Sequence, residues 1–330
     1  MNSFGRIFRI SIFGESHGEQ VGVVIDGTPP GIPINLSDFE EDLSRRKSGM
    51  RGTTSRIEED KPKIISGVFS GFSTGAPITI VFENTNQKSS DYSFVKKIPR
   101  PGHADFTAMK KFKGFNDYRG GGHFSGRLTL GLVVAGVIAK KIITPMLINS
   151  FLIEAGGSPD IDNAVNDALK NNDSIGGIIE CRVSNIPSGL GEPFFDSVES
   201  MISHLVFSVP SVKGIEFGNG FQASRLTGSQ NNDSIVNSFG ETSSNNSGGV
   251  NGGITNGNNL NFKVAIKPTA SISKLQKTFD FEKNGEGELN ISGRHDVCHA
   301  LRVPVIIEAC AAIVLSDFLL LTPEAEMDEL

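Results

Sequence analysis

Four of the six histidines stand in glycine-containing turns, where a side chain can reach a bound ligand. They are His17, His103, His123 and His295. Loops held by rigid elements often carry catalytic groups, and an imidazole gains or loses a proton near neutral pH. His204 and His299 lie instead in apolar, helix-like sequence, which favours a structural role. The four turn histidines are therefore the first candidates for proton transfer.

Cations are gathered in a few places. Five of them fall within twelve residues: Arg45, Arg46, Lys47, Arg51 and Arg56. A solvated helix end would explain that run, but a guanidinium also binds phosphate or carboxylate with two donors. Six more cations lie beside glycine or proline turns: Arg100, Arg119, Arg127, Lys267, Arg294 and Arg302. This pattern predicts a site for a small polyanion.

The segment Gly120–Arg127 runs through three consecutive glycines into an apolar helix pattern. Backbone N–H groups in such a turn suit a phosphate, although the segment matches neither the P-loop nor the dinucleotide-binding motif. His295-Asp296 and His103 with Asp105 also suit a metal-dependent phosphohydrolase. Binding of a small anion without catalysis is the third alternative.

The whole-chain averages exclude several classes. The 330 residues carry 31 basic and 37 acidic side chains, a net charge of −6, which argues against a general nucleic-acid or anionic-membrane binder. Cys181, Cys298 and Cys310 are too scattered for a disulfide framework or a cysteine zinc site. Neither a signal peptide nor an uninterrupted apolar span of about 20 residues is visible. We therefore expect a cytoplasmic protein with no membrane or nucleic-acid partner and no metal site.

Periodicity predicts a mixture of helices and strands. Ser37 and Glu40 have the spacing of a capping box at the start of a helix. Further helices are predicted over 128–148, 164–171, 196–207 and 299–321, and strands over 8–13, 21–26, 64–69, 77–83, 175–183 and 261–271.

Asn, Gly and Ser fill 20 of the 29 positions from 231 to 259, a composition typical of a flexible linker. A linker there would leave a C-terminal part of only about 70 residues, which is a poor independent core. We therefore expect one domain over residues 1–330. The pair Gly126-Arg127 before one apolar helix and Gly293-Arg294 before another suggests an internal duplication.

Eleven segments, in order along nearly the whole chain, resemble the chorismate synthase family. The segments are 13–18 (FGESHG), 26–33 (DGTPPGIP), 44–49 (SRRKSG), 83–93 (ENTNQKSSDYS), 100–105 (RPGHAD), 117–127 (DYRGGGHFSGR), 189–196 (GLGEPFFD), 228–233 (GSQNND), 248–257 (GGVNGGITNG), 267–272 (KPTASI) and 293–296 (GRHD). Each segment alone is weak, whereas eleven in register are highly specific.

The resemblance implies a lyase that removes phosphate from 5-enolpyruvylshikimate 3-phosphate by anti-1,4-elimination to give chorismate. This reaction is the last step of the shikimate pathway, and the family uses reduced FMN without net redox change. It also implies a single α+β domain, with helices packed between antiparallel sheets, and a homotetramer. Some members reduce their flavin with NADPH, and the absence of an added nucleotide motif favours external reduction here.

The resemblance also implies roles for individual residues. His17 matches the histidine that protonates the leaving phosphate, His103 the one that donates to the reduced flavin, and Asp296 the aspartate that helps remove the ring proton. Arg46 and Arg51 match arginines that bind nicotinamide cofactor or substrate phosphate, with the register of Arg51 shifted by one. The positions that match flavin-binding stretches are His123, Phe124, Ser125, Pro210, Ser211, Gly252, Lys267, Pro268, Thr269, Ala270, Ser271 and Arg294. Residues 228–257 then become a flavin-proximal loop region.

Overall fold

The computed structural model describes residues 2–86, 89–291 and 295–322. The N-terminal strands are β1 (Ser3–Phe4), β2 (Arg9–Gly14), β3 (Gln20–Asp26), β4 (Lys63–Ser66), β5 (Val68–Phe69), β6 (Phe72–Ser73) and β7 (Ile78–Glu83). Five of them form an antiparallel sheet in the order β1-β2-β3-β7-β4, and β5 and β6 pair as a separate hairpin. Val21, Val23 and Ile25 alternate along β3 and are fully buried, as expected when one face of a strand covers a core.

The second sheet comes from the C-terminal half of the chain. The strands there are β8 (Leu147–Ala155), β9 (Gly177–Ser184), β10 (Val212–Phe217), β11 (Val250–Asn251), β12 (Ile254–Thr255), β13 (Leu260–Ile266), β14 (Gln276–Asp280) and β15 (Gly285–Leu289). Four form an antiparallel sheet in the order β10-β13-β9-β8. The pairs β11–β12 and β14–β15 are two-stranded hairpins.

The α-helices are α1 (Glu40–Arg46), α2 (Asp105–Lys111), α3 (Thr129–Ile142), α4 (Ile161–Lys170), α5 (Val198–Val206), α6 (Gly228–Asn231) and α7 (Pro304–Leu321). Short 3₁₀ turns precede several of them, notably Leu36–Phe39, Arg119–Phe124, Gly126–Leu128 and His299–Arg302.

Helices α3 and α7 pack side by side between the two sheets. Helix α3 lies on β3 and α7 lies on β8 and β9. Residues 129–139 and 305–318 are buried on every side, which explains why both helices are apolar all round. Gly136 lets the two backbones approach, since a Cβ there would lie 2.3 Å from the Cβ of Ala309. The observed layers confirm the predicted α+β fold with helices between antiparallel sheets.

Helix α7 has the length and apolar composition of a membrane span. However, 78% of it is buried inside the fold. Its apolar character is therefore accounted for by the core.

Helix α7 also holds the N-terminal segment. The buried carboxylate of Asp317 accepts hydrogen bonds from the backbone N–H groups of Arg6, Ile7 and Phe8 at 2.9, 2.7 and 2.9 Å. A single cluster of buried apolar side chains extends from Phe8 to Phe318. The two ends of the described chain therefore belong to one core.

Two local predictions were wrong. The helix predicted over 128–148 ends at Ile142, because Pro145 cannot continue it, and β8 begins at Leu147. The capping box uses Asn35 and Asp38 rather than Ser37 and Glu40. The duplication stays a prediction, since Gly293-Arg294 lies outside the described residues.

The Asn/Gly/Ser-rich segment is organised by Asp233. Its carboxylate accepts hydrogen bonds from the Ser244 hydroxyl at 2.6 Å and from the N–H groups of Asn246 and Ser247 at 2.8 Å. The small polar side chains thus satisfy one another, and the composition does not mark a linker.

Candidate active site

A cavity of about 770 Å³ opens beside the N-terminal end of α3, a volume in the usual range for small-molecule sites. Its walls are drawn from segments that are far apart in sequence: 2–4, 46–48, 54–60, 102–104, 123–129, 204–213, 267–271 and 295–302. The lining is completed by Ile10, Ile12, Tyr92, Gly120 and Leu132. Such a wall forms only when both halves of the chain have folded.

Arg46 is a fixed positive group in this wall. Its guanidinium donates to Thr129 Oγ1 at 3.0 Å, to Asp60 Oδ2 at 3.3 Å and to the carbonyl of Gly126 at 3.1 Å. Burial lowers the pKa of Arg46 to about 10, Asp60 opposes that shift, and Arg302 and Arg127 add to it. The side chain therefore remains charged at neutral pH, in a place where water cannot screen it.

The adjacent residue Arg45 points the other way. It pairs with Glu308 of α7 at 2.6 Å, and Lys140 of α3 contacts the same carboxylate at 3.0 Å. Glu308 is buried and also accepts the N–H of Ser150 at 2.9 Å. These ion pairs fix the end of α1 against the core and so direct Arg46 toward the cavity.

His17 lies just behind the cavity wall. Its ring packs against Gly120, where an added Cβ would be 2.3 Å from both Nδ1 and Cε1. The ring also makes an edge-to-face contact with Tyr92, with the two ring centroids 5.2 Å apart. Burial, together with the nearby Arg56 and Arg119, lowers the pKa of His17, while Asp117 and Glu58 oppose the change. Buried Nδ1 has no hydrogen-bond partner in the described parts of the chain.

His103 lines the cavity and is held by a charged neighbour. The buried carboxylate of Asp105 accepts a hydrogen bond from His103 Nδ1 at 2.7 Å and two from Arg100 at 2.7 and 2.8 Å. Burial acts to raise the pKa of Asp105, but the hydrogen bonds from Arg100 and His103 hold that pKa well below its usual range. Arg100 Nη2 also lies 3.1 Å from His103 Nδ1, and the Nε2 edge of the ring faces Gly121, where an added Cβ would be 3.4 Å from Nε2.

Asp296 is also fully engaged. Its Oδ1 accepts the N–H of Thr54 at 2.8 Å, and its Oδ2 accepts Arg302 Nη2 at 2.6 Å and His299 Nδ1 at 3.3 Å. Burial opposes ionisation, but the donors from His299, Arg302 and Thr54 keep the pKa of Asp296 well below its usual range. The carboxylate is therefore ionised, with both oxygens occupied.

A second cationic group faces the cavity from the loop after β13. Lys267 donates to the carbonyl of Gly102 at 2.8 Å, and burial and the nearby Lys213 lower its pKa. The backbone of Lys267 is tied to Ser211, since its N–H donates to the Ser211 carbonyl at 2.8 Å. Thr269 Oγ1 is buried and has no hydrogen-bond partner among the described residues.

The predicted site residues fall into two sets. Those that line the cavity are Arg46, His103, His123, Phe124, Ser125, Pro210, Ser211, Lys267, Thr269, Ala270, Ser271 and Asp296. His17 packs against Gly120 and Tyr92 of the wall but does not line it. Pro268 lies between lining residues in sequence without lining the cavity, and Arg51 is exposed outside it. Gly252, in the turn between β11 and β12, and the whole of residues 228–257 are absent from the lining, and Arg294 lies outside the described residues. The roles of these residues stay predictions.

Sequence reasoning missed several residues of the wall. Tyr92, Lys213 and Asp60 line the cavity, and Arg100 packs over the Tyr92 ring at 5.7 Å. His299 also lines it, although its apolar surroundings favour a structural role. The signal available for His299 was its position three residues after Asp296, a spacing that brings two side chains together in a helical turn.

The chemistry of this lining suits a ligand that carries both a planar ring and a phosphate, as a flavin nucleotide does. The Thr269 hydroxyl and the Lys267 and Lys213 amines offer donors for a phosphate. Tyr92 and Phe124, together with Leu128 and Leu132 at the start of α3, give apolar surface for a planar ring. No group of three or more His, Cys, Asp or Glu side chains in residues 2–86, 89–291 and 295–322 is placed to hold a metal ion.

Comparison with known proteins decides between the alternatives. The family model described as chorismate synthase matches residues 8–320. The chain belongs to the chorismate synthase family. Among its relatives, chorismate synthase of Chitinophaga pinensis is 59% identical over 97% of both chains, and that of Dehalococcoides mccartyi is 45% identical over 97% of this chain and 96% of the relative. A solved crystal structure of a chorismate synthase matches 96% of this chain and 93% of its own, with a TM-score of 0.74 and 26% identity.

Membership confirms the predicted activity and reaction class. The chain is a carbon–oxygen lyase of aromatic amino-acid biosynthesis with chorismate synthase activity, and it acts on a small molecule. A reduced flavin is the cofactor of this family in general. Neither the metal-dependent phosphohydrolase nor the non-catalytic anion-binding module is supported.

Proposed function

We propose that this chain eliminates phosphate from 5-enolpyruvylshikimate 3-phosphate in the cavity described above, with FMN as the reduced flavin. One observation carries the proposal: a single cavity is lined by two groups of cations, one of buried or half-buried arginines and one of lysines. Arg46, Arg127 and Arg302 are electrostatic neighbours, and Lys267 and Lys213 are another such pair. Two phosphorylated molecules can share such a cavity, because each phosphate finds its own cations.

The arginine group suits the substrate, which carries a phosphate and two carboxylates. Arg46 is held by Thr129, Asp60 and Gly126 before any ligand arrives, so little side-chain entropy is lost on binding. These cations stabilise the negative charge that grows on the phosphate as its bond to the ring breaks.

His17 is the proposed donor of a proton to the departing phosphate. Burial and the arginines favour its neutral form in the free enzyme. A phosphate dianion nearby would reverse that balance, since an opposite charge favours the protonated imidazole. His17 therefore gains its proton together with the substrate.

The lysine group, Thr269 and the 123–125 turn would hold FMN. When bound, the reduced flavin would supply electron density to the substrate and recover it, which would leave no net redox change. His103 lines the cavity and is held by Asp105 and Arg100, and from there it could donate a hydrogen bond to the reduced flavin. Asp296 takes part in removal of the ring proton.

We further propose that the enzyme is a cytoplasmic homotetramer whose FMN is reduced externally rather than by NADPH. Large apolar side chains support an assembly, because Phe194, Phe195, Phe221 and Phe239 are each more than three-quarters exposed and a partner would cover them. Light scattering measures the mass, and an anaerobic assay with oxidised FMN and NADPH measures self-reduction.

The test of function is an anaerobic assay of the purified protein with substrate and reduced FMN. We expect chorismate and inorganic phosphate in equal amounts, and we expect His17→Ala and His103→Ala each to lower turnover by about 10²–10⁴-fold. Phosphate release without chorismate would identify a phosphohydrolase, and binding without either product would identify a binding module. Full turnover by both variants would refute the two histidine assignments.

A further inference from the structure

Asp60 lies between two arginines of the cavity wall. Its Oδ2 accepts a hydrogen bond from Arg46 Nη1 at 3.3 Å, and its Oδ1 accepts one from Arg127 Nη1 at 2.8 Å. The side chain of Asp60 is 4% exposed, those of both arginines are 7% exposed, and all three residues line the cavity. One carboxylate therefore joins two buried guanidinium groups.

The backbone of Asp60 is adapted to this place. Its φ of +50° lies in the left-handed region, which is costly for most residues and which aspartate and asparagine enter more readily than others. Residues 56–62 belong to no helix or strand, so no regular backbone pattern holds the segment. The two ion pairs supply interactions that keep Asp60 in this conformation.

The shared carboxylate lets like charges lie next to each other. Arg127 and Arg302 act to lower the pKa of Arg46, and Asp60 opposes them, because a negative charge offsets the repulsion between neighbouring guanidinium groups. Each Nη1 carries two N–H groups, and the bond to Asp60 uses only one of them. The paired arginines can therefore still donate to a ligand.

The same pair is connected to the turn that carries His17. Arg127 Nε donates to Asn84 Oδ1, and Asn84 Nδ2 donates to the carbonyls of Glu15 and Gly18 at 3.0 and 2.8 Å. Arg127 therefore has a fixed place relative to that turn. The paired arginines and the proposed proton donor are thus suited to the same group of the substrate, which is the leaving phosphate.

We propose that Asp60 is a positioning residue that sets Arg46 and Arg127 as a pair for the phosphate of the substrate. This inference rests on the proposed function. Asp60 does not bind the anion itself, since two negative groups repel each other. It acts by holding both guanidinium groups in place before the phosphate arrives, which lowers the cost of ordering them on binding.

Asp60→Asn tests this role with little change in shape. Asparagine also tolerates the left-handed backbone, but its amide has one oxygen where the carboxylate has two, so one arginine loses its acceptor. Binding of 5-enolpyruvylshikimate 3-phosphate is measured by calorimetry with oxidised FMN in place of reduced FMN, so that the substrate is bound and not converted. We expect the dissociation constant to rise about 10–100-fold.

Asp280→Asn is the matched control. Asp280 is buried, accepts the N–H groups of Glu282 and Lys283 at 2.9 and 3.1 Å, and lies outside the cavity lining. The substitution removes the same charge from the protein. The dissociation constant of this variant should therefore equal that of the wild type.

A double variant separates positioning from general support of the fold. If Asp60 acts through the arginines, Asp60→Asn should weaken binding less in a protein that already carries Arg46→Lys. The loss in the double variant should then be smaller than the product of the two single losses.

Several results would overturn the proposal. An unchanged dissociation constant in Asp60→Asn, with only the melting temperature lowered, would mean that Asp60 serves stability alone. Tighter binding would mean that it only neutralises the arginines. A loss in the double variant equal to the product of the single losses would mean that it acts independently of Arg46. Absence of chorismate from the wild-type enzyme with reduced FMN, by contrast, refutes the proposed function.

A readout on the wild-type protein covers the case in which the variants do not fold. In ¹⁵N-arginine spectra without ligand, we expect Arg46 and Arg127 to have slowly rotating guanidinium groups with separate Nη signals. Averaged Nη signals from either arginine would show that Asp60 does not hold it, and would overturn the proposal.

Discussion

A substitution at Gly120 is the most direct test of how His17 is positioned. It has φ of +58°, and an added Cβ would lie 2.3 Å from two atoms of the His17 ring and 2.8 Å from the Ser16 hydroxyl. In Gly120→Ala the ring must therefore move by about 1.1 Å to restore an ordinary contact of 3.4 Å. The left-handed backbone costs about 1–2 kcal/mol in addition.

A displacement of about 1 Å in a catalytic group lowers a rate by roughly 10²-fold. We therefore expect Gly120→Ala to fold but to turn over at least about 10²-fold more slowly in the anaerobic chorismate assay. The matched control is Gly114→Ala, with φ of +82° and no atom within 4 Å of the added Cβ. It bears a similar backbone cost away from His17, and its turnover should equal the wild type.

The comparison of the two alanine variants is decisive. If Gly120→Ala retained the turnover of Gly114→Ala, the close packing of His17 against the glycine would be irrelevant to the reaction. Equal inactivation of both would show that backbone strain, and not the position of the imidazole, causes the loss.

Three other properties of the site can be measured. Because the pKa of Asp105 is depressed, its contribution to stability is complete above the unfolded pKa of about 4 and is lost as the pH falls below that value. Asp105→Asn should therefore reduce the slope with which the unfolding free energy falls below pH 4 by about 1.4 kcal/mol per pH unit. Urea titrations at several pH values measure this slope, and an unchanged slope would contradict the prediction. Arg46→Lys cannot keep all three bonds of the guanidinium, so KM for the substrate should rise by about 10-fold or more in steady-state assays; an unchanged KM would remove Arg46 from substrate binding. Chorismate formation should be unaffected by EDTA, and loss of activity that added metal restores would reopen the metal-dependent alternative.

Local sequence patterns predicted most of the elements that surround the core. The alternation over 8–13 corresponds to β2, and the apolar run that ends at 321 corresponds to α7. The helix was predicted too long, because apolar residues continue past Pro145 into Leu147 and Ile148 of β8, and apolar residues alone do not distinguish the end of a helix from the start of a strand.

The site was predicted less evenly, for a physical reason. His103 and Lys267 belong to segments that resemble family motifs, and both line the cavity, while their roles stay predictions. His299 was not recognised as a site residue, since an apolar neighbourhood in sequence does not reveal that a ring edge faces a cavity. Arg302, which donates to Asp296, was noted only as a cation beside a turn.

The junction between Asp317 and residues 6–8 has a consequence for synthesis of the enzyme in the cell. The backbone groups that Asp317 binds leave the ribosome first, and their partner is made some 310 residues later. At ~5–20 residues per second, the first strands wait for roughly 15–60 s before α7 exists to receive them. A ribosome-bound fragment that ends before Asp317 therefore lacks the carboxylate that fixes residues 6–8, so the N-terminal segment reaches its final place only after α7 has been made.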